Sequence, residues 1–290
     1  MNKLIVFALV GFFAQLVDGA LGMGFGLTSS TILLAYGLAP AVASASIHMA
    51  QVATTAASGF SHYKFGNVDK RLVVILAVPG AISAFLGAAV LSWVPGEIIR
   101  PYISLFLLVL GIYIIIRFLT MGQKRRQEKR PFKKSFLFPL GFIGGFLDAV
   151  GGGGWGPVNT PVLLARQKLE PRKVIGTVDT SEFIVTVSAT LGFLIFLGWE
   201  QFSWLLVSAF VIGGVIAAPL AAWLVKIMPS LVLGVLAGGF IVLTNIRTLL
   251  NTVELGDTSI AIIYTALVLA YICMVLLSIR RNFRLKPATR

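Results

Sequence analysis

Four carboxylates, Asp18, Asp148, Asp179 and Glu182, fall within stretches that are otherwise almost free of charge. A carboxylate in hydrocarbon is costly and by default marks an ion path, a substrate path or a proton relay. Asp179 and Glu182 stand three residues apart, so one helix face carries both. Two close carboxylates in a low dielectric resist bearing two negative charges together, which suits an exchangeable proton. The alternative expectation puts the same residues near the cytoplasmic mouth, about one to two turns past Lys173, paired with bases. Asp18 and Asp148 each precede a glycine cluster. They can join the relay or accept hydrogen bonds from backbone amides freed there. His48 and Gln51 complete the set of proton-coupling candidates.

The clusters are Gly19-Ala-Leu-Gly-Met-Gly-Phe-Gly26 and Gly151-Gly-Gly-Gly-Trp-Gly156. Each breaks an apolar segment, Leu4–Leu38 or Phe136–Ala165, that is too long for one span and short for two. Amides released from a helix inside hydrocarbon must be satisfied by protein or a wet cavity. Restarting helices expose amides and a positive dipole end, and two of them meeting near the midplane make an anion site. Thr28, Ser29 and Ser30 are expected to cap one restart, and Asn159 and Thr160 with Pro161 the other. No Lys or Arg falls at a span centre. The substrate-binding candidates are therefore Gly22, Gly24, Gly26, Thr28, Ser29, Gly152, Gly154, Gly156, Asn159 and Thr160. Trp155, which aligns with Phe25, serves as a pocket wall or as plain packing. Glycines that only allow close helix packing are the simpler alternative.

Elements able to position these groups are read from charge-free windows. Such windows run Val42–Tyr63, Leu72–Gly96, Pro101–Ile116, Phe202–Val225, Ile227–Ile246 and Ser259–Ile279, and Val174–Leu197 is a further span that carries the two acids Asp179 and Glu182. With 57% hydrophobic and 12% charged residues in 290, an ordinary soluble domain is excluded, since about a quarter of its residues are charged. The net charge of +13 is not a nucleic-acid face, because the bases collect in loops between spans. The lone Cys273 excludes a disulfide scaffold and cysteine-ligated metal centres. The apolar run after Lys3 imitates a signal peptide, but no small-x-small site follows cleanly and the segment recurs internally, so it is read as structural.

That recurrence organises the chain. Gly11-Phe-Phe-Ala-Gln-Leu-Val-Asp18 matches Gly141-Phe-Ile-Gly-Gly-Phe-Leu-Asp148, and Gly22, Gly24 and Gly26 fall on Gly152, Gly154 and Gly156. One inserted residue later, Pro40 aligns with Pro171, His48 with Asp179 and Gln51 with Glu182, which invites a polar contact across a pseudo-two-fold axis. Lys64, Lys70 and Arg71 have no basic counterpart in Gly198-Trp199-Glu200. Conversely, the uncharged Leu38–Val42 corresponds to the stretch with Arg166, Lys168, Arg172 and Lys173. Equivalent loops on opposite sides mean an inverted-topology repeat. Placing all Lys and Arg except Lys3, Arg100 and Arg247 in the cytoplasm puts the C-terminus inside and the N-terminus outside. The expected layout is an all-α polytopic membrane protein. Its parts are repeats 1–120 and 136–250, a basic cytoplasmic linker 121–135, an extra helix 258–280 and a basic cytoplasmic tail 281–290.

At these residues the sequence resembles the TauE/SafE (sulfite exporter) family of membrane transporters. The resemblance rests on a paired pattern of a glycine-rich stretch, a Pro-x-Leu helix start and an Ala/Thr/Ser-rich helix. The second copy is Gly151–Gly156, Pro161-Val-Leu163 and Gly176-Thr177. The first is Gly22-x-Gly24-x-Gly26 and Ala43–Ser46, with Thr31 where the family often has Pro. The resemblance covers nearly the whole chain to about Leu250 and implies export of sulfite or small organosulfonates, compact oxyanions that suit the anion site read from the residues. The expected function is a secondary transporter of a small sulfur oxyanion or organosulfonate in the cell membrane, working by alternating access with protons as the candidate coupling ion. Alternatives are a cation or metal carrier using the intramembrane Asp, Glu and His, or a passive anion channel. No enzyme constellation is present: His48 and His62 are the two histidines, and no HExxH or GxSxG occurs. No cofactor or resident metal is expected. The partners are the bilayer and a small anion, with a homo-oligomer left open.

Overall fold

The computed structural model describes residues 3–120, 132–166, 169–224, 230–250 and 257–285. Within them the chain is helical and has no strand. The helices are α1 Lys3–Leu21, α2 Phe25–Ala35, α3 Pro40–Lys64, α4 Lys70–Trp93, α5 Gly96–Thr120, α6 Lys134–Gly151, α7 Trp155–Ala165, α8 Pro171–Phe196, α9 Trp204–Leu224, α10 Ser230–Leu250 and α11 Asp257–Leu285. Seven of them, α1, α4, α5, α6, α8, α9 and α11, are long and apolar enough to cross a membrane. The all-α polytopic class read from composition is what the structure has.

Some boundaries differ from the charge-free windows. Helix α5 starts at Gly96 and continues through Arg117, because the charges near its ends, Glu97, Arg100 and Arg117, do not stop helical hydrogen bonding. Helix α6 starts at Lys134, inside the stretch read as linker, and α11 runs past residue 280 to Leu285. Most of the basic linker, together with Lys168 and Lys226, lies outside the described residues.

Helix α3 is as long as the spans but less apolar. Ser44, His48, Gln51, Thr55, Ser58 and His62 recur every three or four residues along it, and all are buried. A seam at that spacing occupies one face of a helix. Helix α8 carries its own buried seam of Asp179, Glu182 and Thr186, and the two helices pack together. Around them α1 packs along α9 and α4 along α6, α3 also meets α9 and α8 meets α4, and α5 packs on α10. Exchanging α1–α5 with α6–α10 maps this set of pairings onto itself. Small residues permit the close approaches. Gly80 of α4 lies against the Trp155 ring, and Gly214 of α9 lies against the Phe25 ring.

The outer faces stay apolar. Val74, Val78, Ile82, Leu86 and Val90 form an exposed row down α4 at intervals of four, which is the surface lipid solvates. Helix α11 packs on α10, where the Tyr271 hydroxyl donates to the Leu236 carbonyl at 2.8 Å, and its Arg281 donates to the Leu119 carbonyl of α5 at 2.6 Å.

Candidate functional site: two helix breaks and a buried polar seam

Both breaks use the same local chemistry. Helix α1 ends as Gly22 N–H donates to the Asp18 carbonyl at 2.6 Å, and α6 ends as Gly152 N–H donates to the Asp148 carbonyl at 2.7 Å. Gly22 and Gly152 have φ of 68° and 67°, the left-handed region where a Cβ is disfavoured. The side chains of the same two aspartates then close the next helix. Asp18 Oδ1 accepts from Phe25 N–H at 3.3 Å. Asp148 Oδ1 accepts from Gly154 N–H at 2.8 Å and Trp155 N–H at 3.0 Å.

The expected hydroxyl and amide caps are therefore corrected. Because α2 starts at Phe25 and α7 at Trp155, residues Thr28, Ser29, Ser30, Asn159 and Thr160 lie inside the helices, and Pro161 falls in the second turn. A carboxylate supplies a stronger, charge-assisted acceptor that also complements the helix dipole. Asp18 and Asp148 do bond the freed amides, one of the two uses expected for them.

The two breaks touch backbone to backbone. Gly26 lies against Gly152 and Gly153, and Gly156 lies against Gly22 and Met23, too close in each case for a Cβ to fit without movement. Matching bonds cross between them: Ser30 Oγ donates to the Gly152 carbonyl at 2.8 Å, and Thr160 Oγ1 donates to the Gly22 carbonyl at 2.6 Å. Gly24 packs instead on Val17 of its own half, and Gly154 on Leu147 and Asp148. The helix N-termini thus converge, and in this conformation their amides are held by carboxylates. Trp155 is fully buried, and its indole N–H reaches the Val178 carbonyl at 3.0 Å and Ser181 Oγ at 3.2 Å. Asn159 Nδ2 donates to the Trp155 carbonyl at 2.8 Å, whereas Asn159 Oδ1 and the Ser29 hydroxyl are buried without a hydrogen-bond partner. Thr28 is half-buried.

The seam between α3 and α8 gathers the remaining candidates. Gln51 Nε2 donates to Glu182 Oε1 at 2.9 Å. His48 Nδ1 lies 2.8 Å from the Ser44 carbonyl, which only accepts, and Nε2 lies 3.2 Å from Asp148 Oδ2. Nδ1 therefore carries a proton, and a further proton lies between Nε2 and the carboxylate. Among the described residues no lysine or arginine forms an ion pair with Asp179 or Glu182. Both are buried, and His62 Nε2 is 3.8 Å from Asp179 Oδ2. That nitrogen also points at the Gly19 carbonyl at 3.1 Å, while Nδ1 faces the Asn67 amide nitrogen at 3.2 Å. A carbonyl on one side and an N–H on the other fit the neutral ring. One oxygen each of Asp18, Asp179 and Glu182 lie within 4.8 Å of one another.

Sequence reasoning passed over His62, Ser44 and Ser58. The signal for all three was the seven-residue rhythm along α3, legible once the helix's polar face is treated as interior. At the N-terminal end of α8, Glu170 accepts from Arg172 at 2.7 Å, which holds its carboxyl below the usual range.

Comparison with known proteins follows the same line. The family model described as "Sulfite exporter TauE/SafE" matches residues 7–248. The chain is 58% identical over 268 residues to "Probable membrane transporter protein YtnM" of Bacillus subtilis (strain 168), covering 92% of this chain and 89% of the relative. It is 25% identical over 218 residues to "Probable membrane transporter protein YdhB" of the same organism, covering 74% and 86%. No solved structure matches. A match spanning both helix breaks and the polar seam makes this chain a member of the TauE/SafE family of membrane transporters.

Proposed function

We propose that the protein is a secondary transporter of a small sulfur oxyanion or organosulfonate, of which sulfite and sulfoacetate are the types, coupled to protons and working by alternating access. One observation carries the reading. The amides of Phe25, Gly154 and Trp155 converge at the contact between two broken helices and are bonded there to carboxylate oxygens. A sulfonate or sulfite offers the same charge and oxygen geometry, so it competes for donors that Asp18 and Asp148 occupy. Parting of the breaks, with a proton neutralising a displaced aspartate, exchanges internal anion for substrate and ties anion to proton. Ser29 and the Asn159 carbonyl oxygen, buried without partners, then become available to a ligand or its bound water.

The exchange of helix pairings between α1–α5 and α6–α10 supports two inverted halves, 1–120 and 136–250, that rock against each other. In this reading the linker 121–135 and the tail 281–290 face the cytoplasm of the cell membrane, the N-terminus lies outside, and 258–280 is an added span.

Purified protein in proteoliposomes loaded with radiolabelled sulfite or taurine tests it. Expected are saturable flux, trans-stimulation by unlabelled sulfonate and a response to a pH gradient. Ser29→Ala and Asn159→Leu should lower the flux about tenfold or more, equivalent to losing one to two kcal/mol-scale interactions, at unchanged membrane levels. Non-saturable flux would instead mark a passive channel, and cation flux indifferent to sulfur anions a cation carrier.

A further inference from the structure

The proposed coupling does not say where the exchangeable charge sits among six candidates. The internal repeat compares the two halves directly. Asp148 is the counterpart of Asp18, His48 of Asp179, and Gln51 of Glu182. In one half Asp148 Oδ2 faces the His48 imidazole at 3.2 Å, so a hydrogen-bonding partner is built into the protein opposite the carboxylate. In the other half Asp18 has a second carboxylate, Asp179, in that place, and Glu182 joins them. One oxygen of each lies within 4.8 Å of the others.

The surroundings do not neutralise this cluster. His62, the nearest basic side chain, has the neutral bonding pattern between Gly19 and Asn67. Of the other titratable groups, His48 of α3 is already engaged with Asp148 of α6, and Asp148 adds negative charge beside the cluster; the lysines and arginines of these helices stand at their ends, at Lys3, Lys64, Lys134, Arg172 and Lys173. Both oxygens of Asp179 and one oxygen of Asp18 are buried without hydrogen-bond partners. An independent group points the same way. Gln51, fully buried on α3, is anchored by its Nε2 to Glu182, which fixes its head group at the cluster, yet its Oε1 has no partner. An unbonded amide oxygen on a side chain tied to one of three clustered carboxylates adds to a set of hard oxygen donors lacking its acceptor.

We propose that Asp18, Asp179 and Glu182, with the Gln51 carbonyl oxygen, form a site for one exchangeable small hard cation, filling the place that His48 fills in the other half. Na+, a proton and Ca2+ share the required chemistry and are told apart by experiment. Calling it the coupling ion rests on the transporter reading; the binding itself does not.

The test is thermal unfolding of the purified full-length protein in detergent without any transport substrate. Starting in choline chloride at about pH 8, the buffer is titrated with NaCl, with CaCl2, or down to about pH 5.5, and a ligand held by the folded state raises Tm by mass action. One of the three should raise the wild-type Tm by several degrees. Asp179→His, which recreates the solution of the other half, should abolish that response. Glu182→Gln removes one ligand and should raise the cation concentration for half effect at least about tenfold, a readout that survives if Asp179→His fails to fold. A wild-type Tm indifferent to all three cations overturns the site, as does a response unchanged in both variants. If cation stabilisation holds while proteoliposomes move no anion, the transporter reading falls and the site stands. Anion flux without cation stabilisation gives the reverse.

Discussion

Gln51 and Glu182 are joined side chain to side chain, Nε2 to Oε1 at 2.9 Å, although they lie in different halves of the chain at equivalent repeat positions. The bond ties the midpoint of α3 to that of α8, and both residues are buried. Gln51→Leu leaves a buried carboxylate without its donor, at a cost of about 1–3 kcal/mol or more for a charged group. The double exchange Gln51→Glu with Glu182→Gln rebuilds the bond with its direction reversed. Its unfolding temperature should return towards wild type, giving a coupling energy above about 0.5 kcal/mol in a double-mutant cycle. Simple addition of the two single effects would mean that the bond contributes nothing.

Two glycines with different surroundings separate close packing from backbone conformation. Gly26 in α2 lies against the backbone of Gly152 and Gly153, whereas Gly37, with φ of 88°, has open space around its Cβ position. Gly37→Ala should cost only the left-handed strain, about 1 kcal/mol. Gly26→Ala forces the two breaks apart and should abolish transport while destabilising the protein by well over about 1–3 kcal/mol, the usual cost of overpacking. Measured flux and unfolding temperature for the pair check this. Similar behaviour of the two variants would show that the contact between the breaks is not tight.

Much of this layout was legible because hydrocarbon leaves a chain few options. Spans had to be helical, and the glycine clusters had to be interruptions satisfied by protein. The repeat register then aligned His48 with Asp179 and Gln51 with Glu182, and the contact between Gln51 and Glu182 lies where that alignment invites it. What could not be read was who satisfies whom. Hydroxyls at Thr28–Ser30 and Asn159–Thr160 look like caps by type, but the start of a helix depends on where the preceding strained turn ends. Gly22 and Gly152 set that point several residues earlier. His62 was illegible for a different reason. Its partners, Gly19 and Asn67, are a backbone carbonyl and a loop amide, and neither carries a sequence signature.

The ion pair at the foot of α8 makes a contrast with the interior. Glu170 is exposed, and Arg172 at 2.7 Å holds its carboxyl below the usual range. A depressed carboxylate contributes stability above its unfolded value and loses it as pH falls through the folded one. Exposure and salt screen the pair, so the contribution is small. Glu170→Gln should leave the Tm profile between about pH 4 and 8 superimposable on wild type. A separation of the curves in that range would assign Glu170 a role beyond the surface pair.

The sharpest expectation concerns Asp18 and Asp148, equivalent in sequence and opposite in electrostatic setting. Substitution by Asn keeps the Oδ1 acceptor that each offers to the following helix, so the capping bonds to Phe25, and to Gly154 and Trp155, survive in both. The second oxygen decides the outcome. At position 148 it faces His48 Nε2 at 3.2 Å, and Asn there removes the acidic half of a buried pair. Removal of one partner from such a pair costs about 3–5 kcal/mol. At position 18 the second oxygen has no partner and stands within a group of three carboxylates. Asn there removes one of three mutually repelling groups, so Asp18→Asn should be neutral or stabilising in cation-free buffer near neutral pH. Chemical or thermal unfolding of the two purified variants reads the sign directly. Equal destabilisation would mean that the half containing Asp18 carries a compensating charge as firmly built in as His48.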